Sequence, residues 1–329
     1  MMLERLRRPL SPERYRRITV WALVLLVVIV LTGAGVRLTG SGLGCSDWPN
    51  CTDTTFVAPM ELNPMIEFVN RLITGAVSAA VGLAVLGSLR RAPRRRDLTW
   101  LSLGLVAGVL GQILLGALVV WSHLNPWLVQ GHFVLSAVLI TNAVVLTHRA
   151  GLPDDRVVRP VVTPALLRWG RVLVGAASVV ILTGTLVTGS GPHSGHSPDD
   201  PFEVRRLPID VADAARVHGI AMVVFLAATV WVLVQFRRHD APEPLQNAGS
   251  ALLTVLILQA GLGYTQYLTG VPPLLVGLHV LGSTLVLVSV LNLLLRMQLP
   301  LESRAAGPRD SEGEPSADHL PHGDLLTHR

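Results

Sequence analysis

The sequence is poor in charge, and that shortage is the most restrictive fact in it. Only 15% of its 329 residues are charged, where a soluble domain carries about a quarter. The missing charge is not spread evenly: it is absent from long apolar stretches and concentrated between them. Half the residues are hydrophobic and the mean hydropathy is +0.51. A soluble globular domain is excluded. The weak, alternating segments of a membrane β-barrel are lacking as well. Stretches of roughly 18 or more apolar residues read as membrane spans. In lipid their backbone groups have no water partner, so they must be helical.

Lysine is absent altogether. All 27 basic residues are arginine, which reflects genome composition rather than function. A sequence pI of about 10.2 would suit a nucleic-acid partner, but these arginines sit in short loops between spans, where membrane topology accounts for them. Only two cysteines occur, Cys45 and Cys51. No compact Cys/His set accompanies them, so a zinc site is excluded. The glycine-rich TGSGLG and TGSGPH segments lack the GK[ST] ending of a phosphate loop. They read instead as helix ends where the chain turns closely over a bundle. The basic N-terminus followed by an apolar run from about Ile18 to Val36 is like a signal peptide. That run is too long for a signal core and no small-x-small site follows, so it reads as a retained first helix.

Eight spans are expected, at 18–38, 66–89, 99–121, 127–147, 169–189, 211–236, 248–269 and 273–296. The fold class is therefore an all-α integral membrane protein of eight transmembrane helices. An even number puts both termini on one side. Twenty-two arginines fall on that side, and only Arg37, Arg71, Arg205, Arg206 and Arg216 on the other. The positive-inside rule places both termini in the cytoplasm of a cell-membrane protein. The tail from about Leu301 is rich in Pro, Gly, Ser and charge, a composition that predicts disorder.

The chain also repeats. LTGAGVRLTGSGLG (31–44) resembles LTGTLVTGSGPH (182–193). Gly40 maps to Gly189, Asn70 to His218, Gln112 to Gln259 and His132 to His279, at offsets of 149, 148, 147 and 147. Two parallel four-helix halves follow, related by an axis along the membrane normal. The predicted organisation is an N-terminal arm (1–17), a first half (18–147), a cytoplasmic linker (148–168), a second half (169–296) and a disordered tail (297–329).

Ionisable groups inside a bilayer are costly and usually functional. Four stand out: Glu67, His132, His218 and His279. His218 and His279 fall in one half, and two histidines from facing helices can hold a haem iron from both sides. The plainer alternative is interhelical hydrogen bonding. Glu67 is followed one turn later by Arg71, which suits either an i, i+4 ion pair at a helix start or a proton-handling group near His132. Cys45 and Cys51 flank SDWPN in the first outer loop, where a disulfide is expected in an oxidising compartment; two free thiols or a transient redox pair are the alternatives. His123, His193 and His196 lie in outer loops, where histidines are most often exposed and without special role.

VRLTGSGLGCSDWPNC (36–51), IEFVNR (66–71), the histidines of QGHFVLS (His132), ARVHG (His218) and LLVGLHVLGST (His279), and TGSGPHSGH (188–196) together resemble the haem A synthase family. The resemblance covers nearly all of 18–296. It implies a membrane oxidoreductase acting on a CH group, which converts haem O to haem A for cytochrome oxidase by oxidising the C8 methyl to a formyl group. It implies haem b held by His218 and His279 in the second half. The substrate haem would sit in the first half with His132, Asn70 and Arg71, and Glu67 would be the catalytic acid or base. Cys45 and Cys51 match the family's outer-loop disulfide. Haem O synthase, an electron acceptor and membrane lipid are the implied partners, and nucleic acid is not; an oligomer is compatible. One departure stands out: the family's E-x-x-H-R pattern has Asn70 here in place of His. Two rival readings use the same features: a dihaem electron-transfer cytochrome linked to quinol, and a repeat-built transporter. Against the transporter, no span looks broken midway and the histidines gather near one face.

Overall fold

A computed structural model describes residues 9–154 and 158–300. It contains eight long helices: α1 (Pro12–Leu38), α2 (Leu62–Arg90), α3 (Arg96–Trp121), α4 (Pro126–Ala150), α5 (Pro164–Ser190), α6 (Val211–Arg238), α7 (Glu243–Leu268) and α8 (Pro273–Arg296). All eight are long and apolar enough to cross a membrane. Their outward faces carry large apolar side chains such as Leu110, Leu114, Val224 and Leu258, each more than half exposed. Water would not tolerate so much bare apolar surface, but lipid does. The molecule is a multi-pass membrane protein.

Most helices begin earlier than their apolar runs. Hydropathy marks where hydrocarbon starts, whereas the helical ladder continues until something caps it. Proline stands at the first turn of α1, α4, α5 and α8, where its fixed φ suits the helix and its missing N–H is no loss. Ser11, Asn125, Thr163 and Asp210 cap α1, α4, α5 and α6 by accepting a first-turn N–H. The first span therefore starts at Pro12 rather than 18, and the fifth at Pro164 rather than 169.

Each half closes into a four-helix ring. In the first, α1 packs on α2 and α4, and α3 joins α2 to α4; in the second, α5 packs on α6 and α8, and α7 joins α6 to α8. The halves meet through α1 on α8, α4 on α8 and α4 on α5. Exchanging the halves carries the α1–α8 contact onto α5–α4 and returns α4–α8 to itself. That is the parallel pseudo-twofold expected from the repeat. One apolar core runs through both rings, from Leu105 and Leu139 to Phe225, Leu252 and Val290.

The chain stays ordered a little beyond the eighth helix. Val158–Pro160 (β1) and Gln298–Pro300 (β2) form a short antiparallel pair, and Met297 is fully buried against Gly170 of α5. The predicted linker and the start of the predicted tail thus meet at the end of the bundle where α1 begins and α8 ends. The expectation of disorder for 301–329 falls outside the described residues, as do residues 1–8 of the 1–17 arm. At the same end Arg91, wholly buried, bonds Asp154 at 2.7 Å and Pro93 O at 2.6 Å. The arginines of this loop therefore fasten the chain as well as marking topology.

Candidate functional site

The histidines lie on diagonal helices. Among the described residues, neither α6 and α8 nor α2 and α4 pack directly against each other, so each ring keeps a gap between its diagonal pair. Across the second gap the His218 and His279 ring centres are 6.3 Å apart with planes at 72°. Two imidazoles holding one metal from opposite sides place their centres roughly 6 Å apart, given metal–nitrogen bonds of about 2 Å. The donor set fits a haem iron.

What surrounds the two rings supports that fit. His218 Nδ1 lies 3.0 Å from Val180 O and 3.2 Å from Thr183 Oγ1, an arrangement that fixes the ring and leaves Nε2 to face its partner. His279 Nδ1 is buried without a hydrogen-bond partner, so its ring lacks the anchoring that Val180 O and Thr183 give His218. Glycines make room for both rings. A Cβ at Gly184 would stand 3.1 Å from His218 Cε1, and one at Gly263 would stand 3.0 Å from His279 Cε1. Gln259 Nε2 donates to His279 O at 2.7 Å, pinning that turn of α8.

The first half repeats much of this. Gln112 Nε2 donates to His132 O at 3.1 Å and to Ser136 Oγ at 2.7 Å. A Cβ at Gly116 would stand 3.3 Å from His132 Cε1, and His132 Nδ1 is again buried and unpartnered. The opposite position differs. Asn70 accepts from Thr32 Oγ1 at 2.8 Å, and nothing lies within 4 Å of where a Cβ would stand on Gly33 or Gly35. Where the second half has His218, the first half has a side chain whose amide oxygen is already engaged.

Glu67 lies one turn before Asn70 on α2, and it is 6% exposed. The surface ion pair that the i, i+4 spacing suggests is a buried one. Arg71 Nη2 bonds Glu67 Oε1 at 2.6 Å, and Cys45 N donates to Glu67 Oε2 at 2.8 Å. Arg71 Nη1 donates to Asp47 O and Asn50 O, both at 2.9 Å. Cys45 and Cys51 form the expected disulfide and are fully buried. The loop closed by that bond is thus wrapped onto the Glu67–Arg71 pair, which brings Glu67, Arg71 and both cysteines into one unit.

The glycine-rich turns join the halves at this end. Gly40 has φ +68°, and a Cβ there would come within 2.8 Å of His196 O, so only glycine suits both the backbone and the contact. Arg37 donates to His193 O and Thr188 O, each at 2.7 Å. The loop histidines are less idle than their position suggests. His193 Nε2 lies 2.8 Å from Val271 O, and His123 stacks on Phe202 at 3.8 Å. Both ring nitrogens of His196 are buried without partners, and that burial holds its pKa below the usual histidine value.

With this geometry in view, the sequence was compared with known proteins. The profile of the cytochrome oxidase assembly protein family (COX15-CtaA) matches residues 16–195, more than half of the chain. The chain belongs to this family. It is 31% identical over 201 residues to the heme A synthase of Lysinibacillus sphaericus, covering 57% of the chain and 62% of that relative. That alignment therefore spans less than two thirds of the relative's length. It is 29% identical over 267 residues to the heme A synthase of Listeria welshimeri, covering 77% and 85%. To that of Staphylococcus saprophyticus it is 25% identical over 289 residues, covering 84% and 93%. The profile match ends before His218 and His279, so their pairing is an observation independent of it.

Reading the sequence located the histidines but not what holds them. Gln112 and Gln259 share the histidines' offset of 147, and that was the available signal for their role. Val180 O, Thr183 and the spacer glycines Gly184 and Gly263 left none. Because those glycines touch the rings, enlarging them is a direct test. Overpacking costs about 1–3 kcal/mol, so Gly184→Val or Gly263→Val should lower the occupancy of any haem held between the two histidines roughly tenfold, read as Soret absorbance per protein. Gly261→Val, which meets nothing within 4 Å, should leave it unchanged.

Proposed function

We propose that this chain converts haem O to haem A by oxidising the C8 methyl of the ring to a formyl group, an oxidoreductase step in haem biosynthesis that supplies cytochrome oxidase. The observation that carries the reading is the pair of unlike gaps: two facing histidines in one half, and in the other a single histidine, with Asn70 at the opposite position and a buried carboxylate one turn from Asn70. Substrate haem O would occupy the gap between α2 and α4, oriented by His132. His218 and His279 would hold haem b, which supplies one-electron transfer when bound.

The protein's own residues account for the rest. Gln112 fixes the turn of α4 that carries His132, and Gln259 does the same for His279. Val180 O and Thr183 set the direction of the His218 ring. Glu67, held by Arg71 and the Cys45 N–H, accepts the protons released as methyl C–H bonds break or stabilises the positive charge that develops there. The disulfide-closed loop covers this end and keeps bulk water from the carboxylate. Haem O synthase would deliver the substrate. Pigment extraction tests the reading: cells that make haem O should accumulate haem A when this chain is present and not otherwise. Persistence of haem O alone, with the protein folded and holding haem b, would reject it.

We also propose that both termini face the cytoplasm and that the loops 39–65 and 190–210 face outward in the cell membrane, on the strength of the arginine bias. A reporter fused after Arg96 should be active only in its cytoplasmic form. Activity of a periplasm-type reporter at that site would reverse the orientation.

A further inference from the structure

Between α4 of the first half and α5 of the second lies a crevice of about 350 Å³, within the range of small-molecule sites. Trp127, Val179 and Leu182 form its rim and are 60%, 52% and 48% exposed. They are apolar side chains on membrane-spanning helices, so the crevice opens sideways into lipid. Its lining is mainly apolar, with Gln130, Thr183 and Thr185 as its polar side chains. Thr185 Oγ1 donates to Leu182 O at 2.7 Å and lies 3.3 Å from Gln130 Oε1 across the two halves, and the other amide atom, Gln130 Nε2, is buried beside Gly189 without a partner. Thr183, also lining the crevice, reaches His218 Nδ1 at 3.2 Å.

A half-satisfied amide at membrane depth is costly, and such groups mark function more often than packing. The pseudo-twofold makes the point sharper. It carries this crevice to one between α8 and α1, and at the offset of 147 shared by His132 and His279 the place of Gln130 is taken by Gly277. The amide is therefore no part of the packing scheme common to both halves; it belongs to this crevice alone.

We propose that the crevice binds the head group of a lipid-soluble 1,4-quinone, which serves as electron acceptor for the oxidation; this rests on the function proposed above. A quinone ring is flat and apolar, and its carbonyl oxygens accept hydrogen bonds from amide N–H and hydroxyl groups. A lipid acyl chain has no such acceptors and would leave Gln130 orphaned. The quinone tail leaves past Trp127 and Val179 into the bilayer. The position also suits the role: Gln130 is two residues from His132, and Thr183 contacts His218. The balance is R–CH3 + H2O + 2 Q → R–CHO + 2 QH2. The methyl carbon loses four electrons and two of its hydrogens, the water that supplies the formyl oxygen releases the other two protons, and each of two quinones takes up two electrons and two protons.

The test is photolabelling of the full-length, haem-loaded protein in lipid nanodiscs with an azido-substituted decyl-1,4-benzoquinone, mapped by mass spectrometry. Label should fall on α4 near Trp127–Val134 and on α5 near Val179–Thr185. Excess unlabelled decyl-benzoquinone should suppress it, and 1-decanol should not. Gln130→Leu should reduce it roughly tenfold, and Val179→Trp, on the exposed rim, should reduce it by obstruction, both with the haem b spectrum intact. Label scattered over the lipid-facing helices, equal suppression by decanol, or undiminished labelling in both variants would overturn the proposal. Labelling needs no haem A formation. A chain that takes the label but makes no haem A would reject the proposed oxidation and keep the site, and one that makes haem A without specific labelling would do the reverse.

Discussion

Glu67→Gln should cut haem A formation at least a hundredfold while leaving haem b bound and the Cys45–Cys51 bond formed. The size follows from the role: a positioned proton-transfer group contributes roughly 10²–10⁴-fold. Two functions of Glu67 have to be separated, because beyond the proposed proton transfer its carboxylate anchors the loop through Cys45 N and Arg71. Glutamine separates them. It keeps the volume and one acceptor oxygen but neither the charge nor the capacity to take up a proton. Arg71→Ala is the complementary change. It frees Asp47 O and Asn50 O and leaves a buried carboxylate unpaired, a loss of about 3–5 kcal/mol. It should therefore loosen the loop and speed reduction of the disulfide by an added thiol, which Glu67→Gln should not do. Near-normal haem A yield from Glu67→Gln would confine Glu67 to anchoring.

How much could be read from the sequence follows from what each feature depends on. The eight spans depend on solvent: a helix crossing lipid must be apolar for about 20 residues, and that is written locally. Helix ends depend on caps such as Ser11 and Thr163, which lie outside the apolar runs, so the spans came out short at Pro12 and Pro164. The pairing of His218 with His279 was legible because duplication repeats positions at a near-constant offset, and the same symmetry exposed Asn70 as the odd member. The burial of Glu67 was not legible. An i, i+4 carboxylate and guanidinium look the same on a wet helix end as beneath a folded loop, and only the return of Cys45, Asp47 and Asn50 over α2 distinguishes them. Arg37 counted toward topology, yet it ties α1 to two carbonyls of the second half. His123 reads in the sequence as an idle loop histidine, yet it stacks on Phe202, a contact that no local pattern announces.

The substrate haem should accept an added ligand that haem b refuses. His218 and His279 face each other across the second gap, so a haem held there would be expected to be six-coordinate and low-spin with no position left. The first gap has His132 on one side only. Opposite it, Asn70 is a poor ligand: its amide nitrogen is not basic and its oxygen is a weak donor. That oxygen is moreover engaged by Thr32 Oγ1 at 2.8 Å. The space beside Gly33 and Gly35 is open where Gly184 in the other half abuts a ring. Carbon monoxide added to the reduced, substrate-loaded protein should therefore shift the spectrum of one haem and leave the other unchanged. Asn70→His places an imidazole where the repeat puts His218, so it should compete with carbon monoxide and weaken its binding by roughly tenfold or more. His218→Ala should do the opposite in the second half, with haem b lost or turned high-spin and open to the gas. The contrast between the two variants is the decisive measurement. A first-half haem that is low-spin and inert to carbon monoxide with Asn70 in place would mean that another group fills the position, and the asymmetry would then lie in the sequence but not at the iron.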